Sequence, residues 1–219
     1  MLIAARNAFM ARTARIPFIR ITPTTTAVHY SPFNTGVTYD NTDHIRIELE
    51  WRIVAGSAIG TWGSLFGNSP PNYYTGFMLR HYNNYDQGVG QAPLSTAASS
   101  TGSATRNITG DSISWSKVVF DSGAPTGRVI TRNGNTCTYD SQFFDSDRWT
   151  STSPIYIGEG ARGYGATIAT DWRRIRLLKN GALVRDYVPH ASGGFLDRVG
   201  GEVLAKASNS NTIAQYMEA

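Results

Sequence analysis

Trp172–Val203 reads WRRIRLLKNGALVRDYVPHASGGFLDRVGGEV. Asn180-Gly181 is the strongest two-residue hairpin signal a sequence offers, because both turn positions need φ > 0. The run before it, Trp172 to Lys179, is short and rich in β-branched, aromatic and long residues, which favours strand over helix. After the turn, Leu183-Val184-Arg185-Asp186-Tyr187-Val188 alternates imperfectly and stops at Pro189, which cannot donate to a ladder. A crossing segment and a last strand follow. The stretch predicts an antiparallel hairpin inside a β domain.

The pattern repeats elsewhere. Ile45, Ile47, Leu49, Trp51 and Ile53 alternate with Arg46, Glu48, Glu50 and Arg52, the clearest period-two run in the chain. It predicts a strand with one dry face and one wet face whose charges alternate in sign. Gly63–Asn68 and Gly76–Arg80 read as two further strands. Ser112–Phe120 reads as another, with Ile113, Trp115, Val118 and Phe120 as buried positions. Arg132-Asn133-Gly134-Asn135 marks a second Asn-Gly hairpin, between Arg128–Thr131 and Thr136–Tyr139. Residues 91–107, QAPLSTAASSTGSATRN, are polar and low in complexity and read as a long surface loop. Twenty-two glycines and nine prolines supply turns at close intervals. Some eleven short strands and no long helix describe an all-β, two-sheet antiparallel sandwich.

Bulk properties narrow the function. A length of 219 residues suits one such domain, or one domain with tails. No segment approaches the roughly 18 apolar residues of a membrane span. The single cysteine, Cys137, rules out an internal disulfide framework and reads as a small hydrophobe on a strand. Of the twenty Lys and Arg, four (Arg6, Arg12, Arg15 and Arg20) fall in residues 1–20, which hold no acid; the sixteen that remain balance sixteen Asp and Glu. The pI of about 9.3 therefore describes the leading segment, and a neutral body makes nucleic acid a poor partner.

Residues 1–20 have three readings. Arg6 and Arg12 interrupt every apolar run, so a secretory signal is not expected. A mitochondrial-type transit peptide is a fairer rival, being Arg-rich, acid-free and weakly amphipathic. A start that orders only on a partner is another. The third is an N-terminal extended arm that docks Arg6, Phe9, Arg12, Arg15 and Arg20 on an acidic neighbour. Pro17 would end any helix there. From Lys206 onward there is no strong pattern, and residues 206–219 read as a tail or short helix.

The two hairpin segments also carry a family resemblance. Lys179-Asn180-Gly181-Ala182-Leu183-Val184-Arg185-Asp186-Tyr187-Val188-Pro189 and Gly194-Phe195-Leu196-Asp197-Arg198-Val199-Gly200 resemble the closing signature of concanavalin A-like lectin/glucanase domains of the laminin G-like type. Phe33-Asn34-Thr35-Gly36-Val37 and Ser153-Pro154-Ile155-Tyr156-Ile157-Gly158 resemble two further family segments. The resemblance spans roughly residues 30–205 and implies a concanavalin A-like jelly roll, assigned here to residues 21–205. Such domains are frequent in phage virion and gut-bacterial surface proteins. What it implies is a virion-associated surface protein of a capsid, tail or fibre, anchored to other virion proteins by its arm and touching glycans for host attachment. A decoration or cement protein without sugar binding, and a bacterial surface adhesin, are the alternatives. Virion parts assemble by symmetry, so a homo-oligomer is expected.

Candidate chemistry follows from residue types. Glucanases of this fold set acids at alternate positions of one strand; Glu48-x-Glu50 is the nearest match, with Arg52 where a third acid would stand. It lies on the first long strand, which we place away from the centre of the groove. Two acids on a wet strand face are usually just solvated, so no enzyme is expected. His29, His44, His81 and His190 lack zinc spacing. Asp140, Asp145 and Asp147, or Asp40 and Asp43, suit turns better than calcium, so neither metal nor cofactor is expected. Sugars present flat apolar faces and hydroxyl edges, which suit aromatic rings with a few polar groups. Trp62, Tyr73, Tyr74, Arg80, His81, Tyr82 and Tyr85 cluster within a 24-residue window and are the candidate ligand-binding set. Arg162 and Tyr164 offer a second patch.

Overall fold

The computed structural model describes residues 15–23, 33–39, 42–54, 62–67, 78–82, 94–99, 102–105, 114–122, 129–137, 154–158, 169–204 and 211–218. They form sixteen strands and no helix. These are β1 (Ile16–Pro23), β2 (Phe33–Asn34), β3 (Ile45–Ile53), β4 (Trp62–Gly67), β5 (Met78–Tyr82), β6 (Leu94–Ser99), β7 (Gly102–Thr105), β8 (Ser116–Asp121), β9 (Val129–Arg132), β10 (Asn135–Cys137), β11 (Tyr156–Ile157), β12 (Thr170–Lys179), β13 (Ala182–Pro189), β14 (Phe195–Asp197), β15 (Val203–Leu204) and β16 (Asn211–Glu218). One sheet runs β10-β9-β8-β3-β12-β13-β14-β15, with β1 also on β12 and β16 on β1; the other runs β2-β11-β4-β5-β6-β7. Every described pairing is antiparallel.

The core sits between the sheets. On β3 the buried positions are Ile45, Ile47, Leu49, Trp51 and Ile53, as the alternation requires. Val118 and Phe120 of β8 and Trp172, Ile175 and Leu177 of β12 continue that face. Phe66 of β4 meets Phe120 edge-on at 5.8 Å, and Phe33 of β2 meets Phe195 of β14 at 4.8 Å, so rings from both sheets interdigitate. Fully burying each such large apolar side chain contributes ~1.5–3 kcal/mol.

Both Asn-Gly turns form. Asn133 and Asn180 take φ of 50° and 52°, followed by Gly134 and Gly181 at 83° and 80°. The closing signature has a structural role throughout. Asp197 Oδ1 accepts from the backbone N–H of Asp186 and of Val199, and Gly194 lies so close to Leu204 that a Cβ would stand 2.5 Å from its carbonyl oxygen.

Several expectations need correction. Residues 16–20, read as part of a separate arm, belong to β1: Ile19 and Ile21 are fully buried, and Ile19 pairs with Trp172. Asn211–Glu218, read as tail or helix, is β16, paired with β1 over its whole length from Ile16↔Glu218 to Pro23↔Asn211. Strands β1 and β16 thus extend the larger sheet. Pro17 ends no helix; it sits one residue into a strand. Part of the polar stretch 91–107 supplies β6 and β7 rather than loop alone. On β8 the parity is reversed from that expected for Trp115: Val118 and Phe120 face the core, and Trp115 lies half-buried on the opposite side.

Candidate functional site

The outward face of the larger sheet is built in rows. Glu48 of β3 stands beside Arg176 of β12, which stands beside Asp186 of β13. One step along, Glu50 is opposite Lys117 of β8 and Arg174 of β12. One step further, Arg52 is opposite Asp171, and Asp171 is opposite Arg20 of β1. The period of two puts all of these on one face. The β3–β12 ladder slips between Trp172 and Arg174, so Arg173 has no partner on β3. A bulge of this kind redirects a side chain; here it brings Arg173 onto the same face as Arg174.

Glu48, Leu49, Glu50, Lys117, Arg174 and Arg176 line a pocket of about 120 Å³. β3 is flanked by β8 and β12 in the middle of the sheet, so Glu48-x-Glu50 is central, contrary to the expected placement. Glu48 is 11% exposed and accepts from Arg46 Nε at 2.9 Å and Arg176 Nη1 at 3.0 Å, with Lys117 Nζ at 3.9 Å. Burial alone would raise its pKa. The Arg46 hydrogen bond and the fields of Lys117, Arg46 and Arg176 outweigh burial and hold it below the usual carboxylate range. A carboxylate so held is a poor proton donor at neutral pH. Arg174 donates Nε and Nη2 to Asp186, both at 2.8 Å, and this bidentate bond lowers the Asp186 pKa against its burial. Glu50 is 41% exposed, with Arg173 Nη1 at 3.4 Å; Lys117 is 63% exposed. The pocket therefore presents an accessible carboxylate and an accessible ammonium beside guanidinium edges.

The pocket's border is aromatic. Arg173 lies 3.8 Å above the Trp115 ring, and Arg52 lies 4.5 Å from it. Phe18 meets Trp115 edge-on at 5.7 Å and stacks on Tyr216 at 5.5 Å. Arg20 lies over Tyr216 at 4.8 Å. Glu218, on the last strand, accepts from Arg52 Nη1 at 2.8 Å, Trp115 Nε1 at 2.7 Å and Arg173.

The residues singled out from the sequence fall in different places. Register sets Trp62 opposite Tyr82, His81 opposite Gly63 and Arg80 opposite Ser64 on β4 and β5, so those four positions come together on the smaller sheet. Tyr73, Tyr74, Tyr85, Arg162 and Tyr164 lie outside the described residues, as do Arg6, Phe9 and Arg12. Arg15 is exposed, one residue ahead of β1. Arg20, expected to dock on a neighbour, is instead held by Asp171 of its own chain through Nε at 2.6 Å and Nη2 at 2.9 Å. Sequence reasoning found Glu48 and Glu50 but missed Lys117, Arg174 and Arg176. Arg174-x-Arg176 mirrors Glu48-x-Glu50 in spacing and opposite charge, a signal of two strands destined to pair. Among the described residues no three His, Cys, Asp or Glu side chains gather as a metal site would require, and no helix is long and apolar enough to cross a membrane.

No family model matches the sequence, and no curated protein matches it. Solved structures do. A protein from Bacteroides ovatus described as carbohydrate binding shares 14% identity over 94% of this chain with a TM-score of 0.54; the chain spans 62% of that protein's length. A heptameric SAP-like pentraxin from Limulus polyphemus shares 12% identity, covering 94% of this chain and 90% of its own, at a TM-score of 0.46. The CBM40 of a Ruminococcus gnavus sialidase shares 11% identity, covering 70% and 90% respectively, at 0.41. At 14% identity the likeness to the Bacteroides ovatus protein concerns the fold alone, an all-β antiparallel sandwich of two sheets in the manner of a jelly roll.

Proposed function

We propose that this chain is a non-enzymatic glycan-binding protein that takes sugar on the outward face of its larger sheet. One observation carries the reading: the pocket at Glu48, Glu50, Lys117, Arg174 and Arg176 sets hydrogen-bond acceptors and donors side by side on adjacent strands. Sugar hydroxyls both donate and accept, and groups fixed on strands hold that pattern with little freedom to lose. The carbohydrate-binding description of the Bacteroides ovatus protein supports the same reading. The lowered pKa of Glu48, and Arg52 at the third alternate position, support binding without hydrolysis. We further propose display on a virion surface for host attachment, with the basic segment ahead of β1 docking on other virion proteins.

A glycan array on the purified chain tests the binding. We expect specific glycans to be retained and Glu50→Gln to weaken them. A hydrogen bond to a charged group contributes about 1.5–3 kcal/mol, which is roughly ten- to hundredfold in Kd. If Glu50→Gln leaves every affinity unchanged while Trp62→Ala or Tyr82→Ala abolishes binding, the site belongs to β4 and β5 instead. An array with no retained glycan supports a decoration protein.

A further inference from the structure

The row that begins with Lys117, Glu50 and Arg174 does not stop at β12. Ile19 of β1 pairs with Trp172, so Phe18 stands level with the bulged Arg173. Phe18 in turn pairs with Tyr216 of β16. Five strands, β8, β3, β12, β1 and β16, therefore contribute to one line across the sheet. Four strand spacings of ~4.8 Å make it about 19 Å long. Its character changes along its length: charged and polar at Lys117 and Glu50, aromatic at Tyr216, which is 43% exposed. Phe18, buried beneath Arg20 and Arg52, backs the Tyr216 ring and fixes its orientation.

The charges on this face are mostly committed. Glu48, Glu50, Asp121, Asp171, Asp186 and Glu218 each already hold at least one arginine. Among the cations of the row only Lys117, 3.9 Å from Glu48 and at one end, is loosely held, so beyond that end an anionic ligand would have to displace one of these pairs. Uncharged hydroxyls can join them without breaking any, since a guanidinium or carboxylate has hydrogen-bonding capacity beyond one partner.

We infer that the ligand is a neutral oligosaccharide lying across the strands from Lys117 to Tyr216, with its last ring on the Tyr216 face supplied by the C-terminal strand. This rests on the glycan reading of the face. Each sugar ring advances a chain by a length similar to one strand spacing, so the row accommodates about three or four rings.

Calorimetric titration with neutral fragments of increasing length tests it, starting from the glycan the array retains. Affinity should climb with each ring and level off at about three or four. Tyr216→Ala should cost the longest fragment about tenfold and leave one- and two-ring fragments unchanged. Tyr216→Leu keeps an apolar contact to Phe18 and removes only the ring, so it guards against a loss caused by unfolding of β16; it should show the same length-selective effect. Affinity should vary little with salt. Equal affinity for one ring and for the longest fragment would overturn the inference, as would steeply salt-dependent binding of acidic glycans. Loss with Glu50→Gln but none with either Tyr216 variant would end the extended row and keep the pocket. No effect of Glu50→Gln at any length would remove the glycan reading of this face.

Discussion

Asp171→Asn is the most informative single perturbation of the fold. Asp171 is fully buried and accepts three guanidinium hydrogen bonds: Arg20 Nε at 2.6 Å, Arg20 Nη2 at 2.9 Å and Arg52 Nε at 2.9 Å. The hydrogen bond that Arg20 donates to Asp171 is the largest influence raising the Arg20 pKa, against partial burial. Asparagine keeps the shape but removes the charge, and its NH2 group turns a donor toward a donor. Removing one partner of a buried ion pair costs about 3–5 kcal/mol. Two features place this case at the lower end. The arginine side chains are 26% and 20% exposed, and Arg52 keeps Glu218 at 2.8 Å. A loss of about 3 kcal/mol lowers Tm by roughly 6–12 °C in a chain of this size. Thermal and urea unfolding of the variant, and of Arg20→Met alone and combined with it, give the coupling between the two residues. Additive effects and a loss below about 1 kcal/mol would refute β1 as a member of the sheet and return residues 16–20 to a separate arm.

Two further outcomes concern the closing signature. Burial pushes the Tyr187 pKa from 10.0 up to about 12. Unfolded chains then lose this proton before folded ones, so stability is whole below pH 10, falls as pH rises and levels off above about 12. Urea midpoints measured across that window should fall more steeply for wild type than for Tyr187→Phe; identical slopes would show that the ring is not sheltered. Gly194→Ala would place a Cβ 2.5 Å from the Leu204 carbonyl oxygen, too close without backbone movement. We expect a loss of about 1–3 kcal/mol, the usual cost of overpacking, and an unchanged urea midpoint would mean that β14 and β15 do not approach as described.

What the sequence revealed and what it hid follow one physical rule. β3 was legible because one of its faces is dry and the other wet, so polarity alternates with parity. The β12–β13 hairpin was legible because Asn180-Gly181 is a local signal that needs no knowledge of the rest of the chain. β1 was hidden for the opposite reason. Its core-facing Ile19 and Ile21 are interleaved with Phe18 and Arg20, and Phe18 is buried too, on the outward side under Arg20 and Arg52. A strand covered on both faces shows no alternation. Its one charge, Arg20, then reads as part of a basic leader, when it is in fact the counter-ion of a buried Asp171. β16 was hidden because its partner lies at the other end of the chain: Ile16 pairs with Glu218, and no local pattern in NTIAQYME reports a contact so distant in sequence.

The candidate site was half legible by the same rule. Glu48 and Glu50 announce themselves on a clean strand, but the cations opposite them come from β8 and β12. Arg173 and Arg174 share one face only because the β12 ladder slips between Trp172 and Arg174. A bulge shifts parity by one residue, so strict alternation places Arg173 and Arg174 on opposite faces and separates the groups that build the pocket's border. Trp115 was assigned to the core for a related reason: it precedes β8 by one residue, and its parity matches Lys117 rather than Val118. These departures converge on the edge of the pocket nearest β1 and β16. Strands β1 and β16, the bulged arginine and the outward-facing tryptophan meet there, so the part of this face least readable from local sequence is also the part that sets the length of ligand it would accept. Comparing Tyr216→Ala with Asp171→Asn separates those two roles. The first should alter binding by ligand length with the fold intact, and the second should loosen β1 and with it the whole aromatic end of the row.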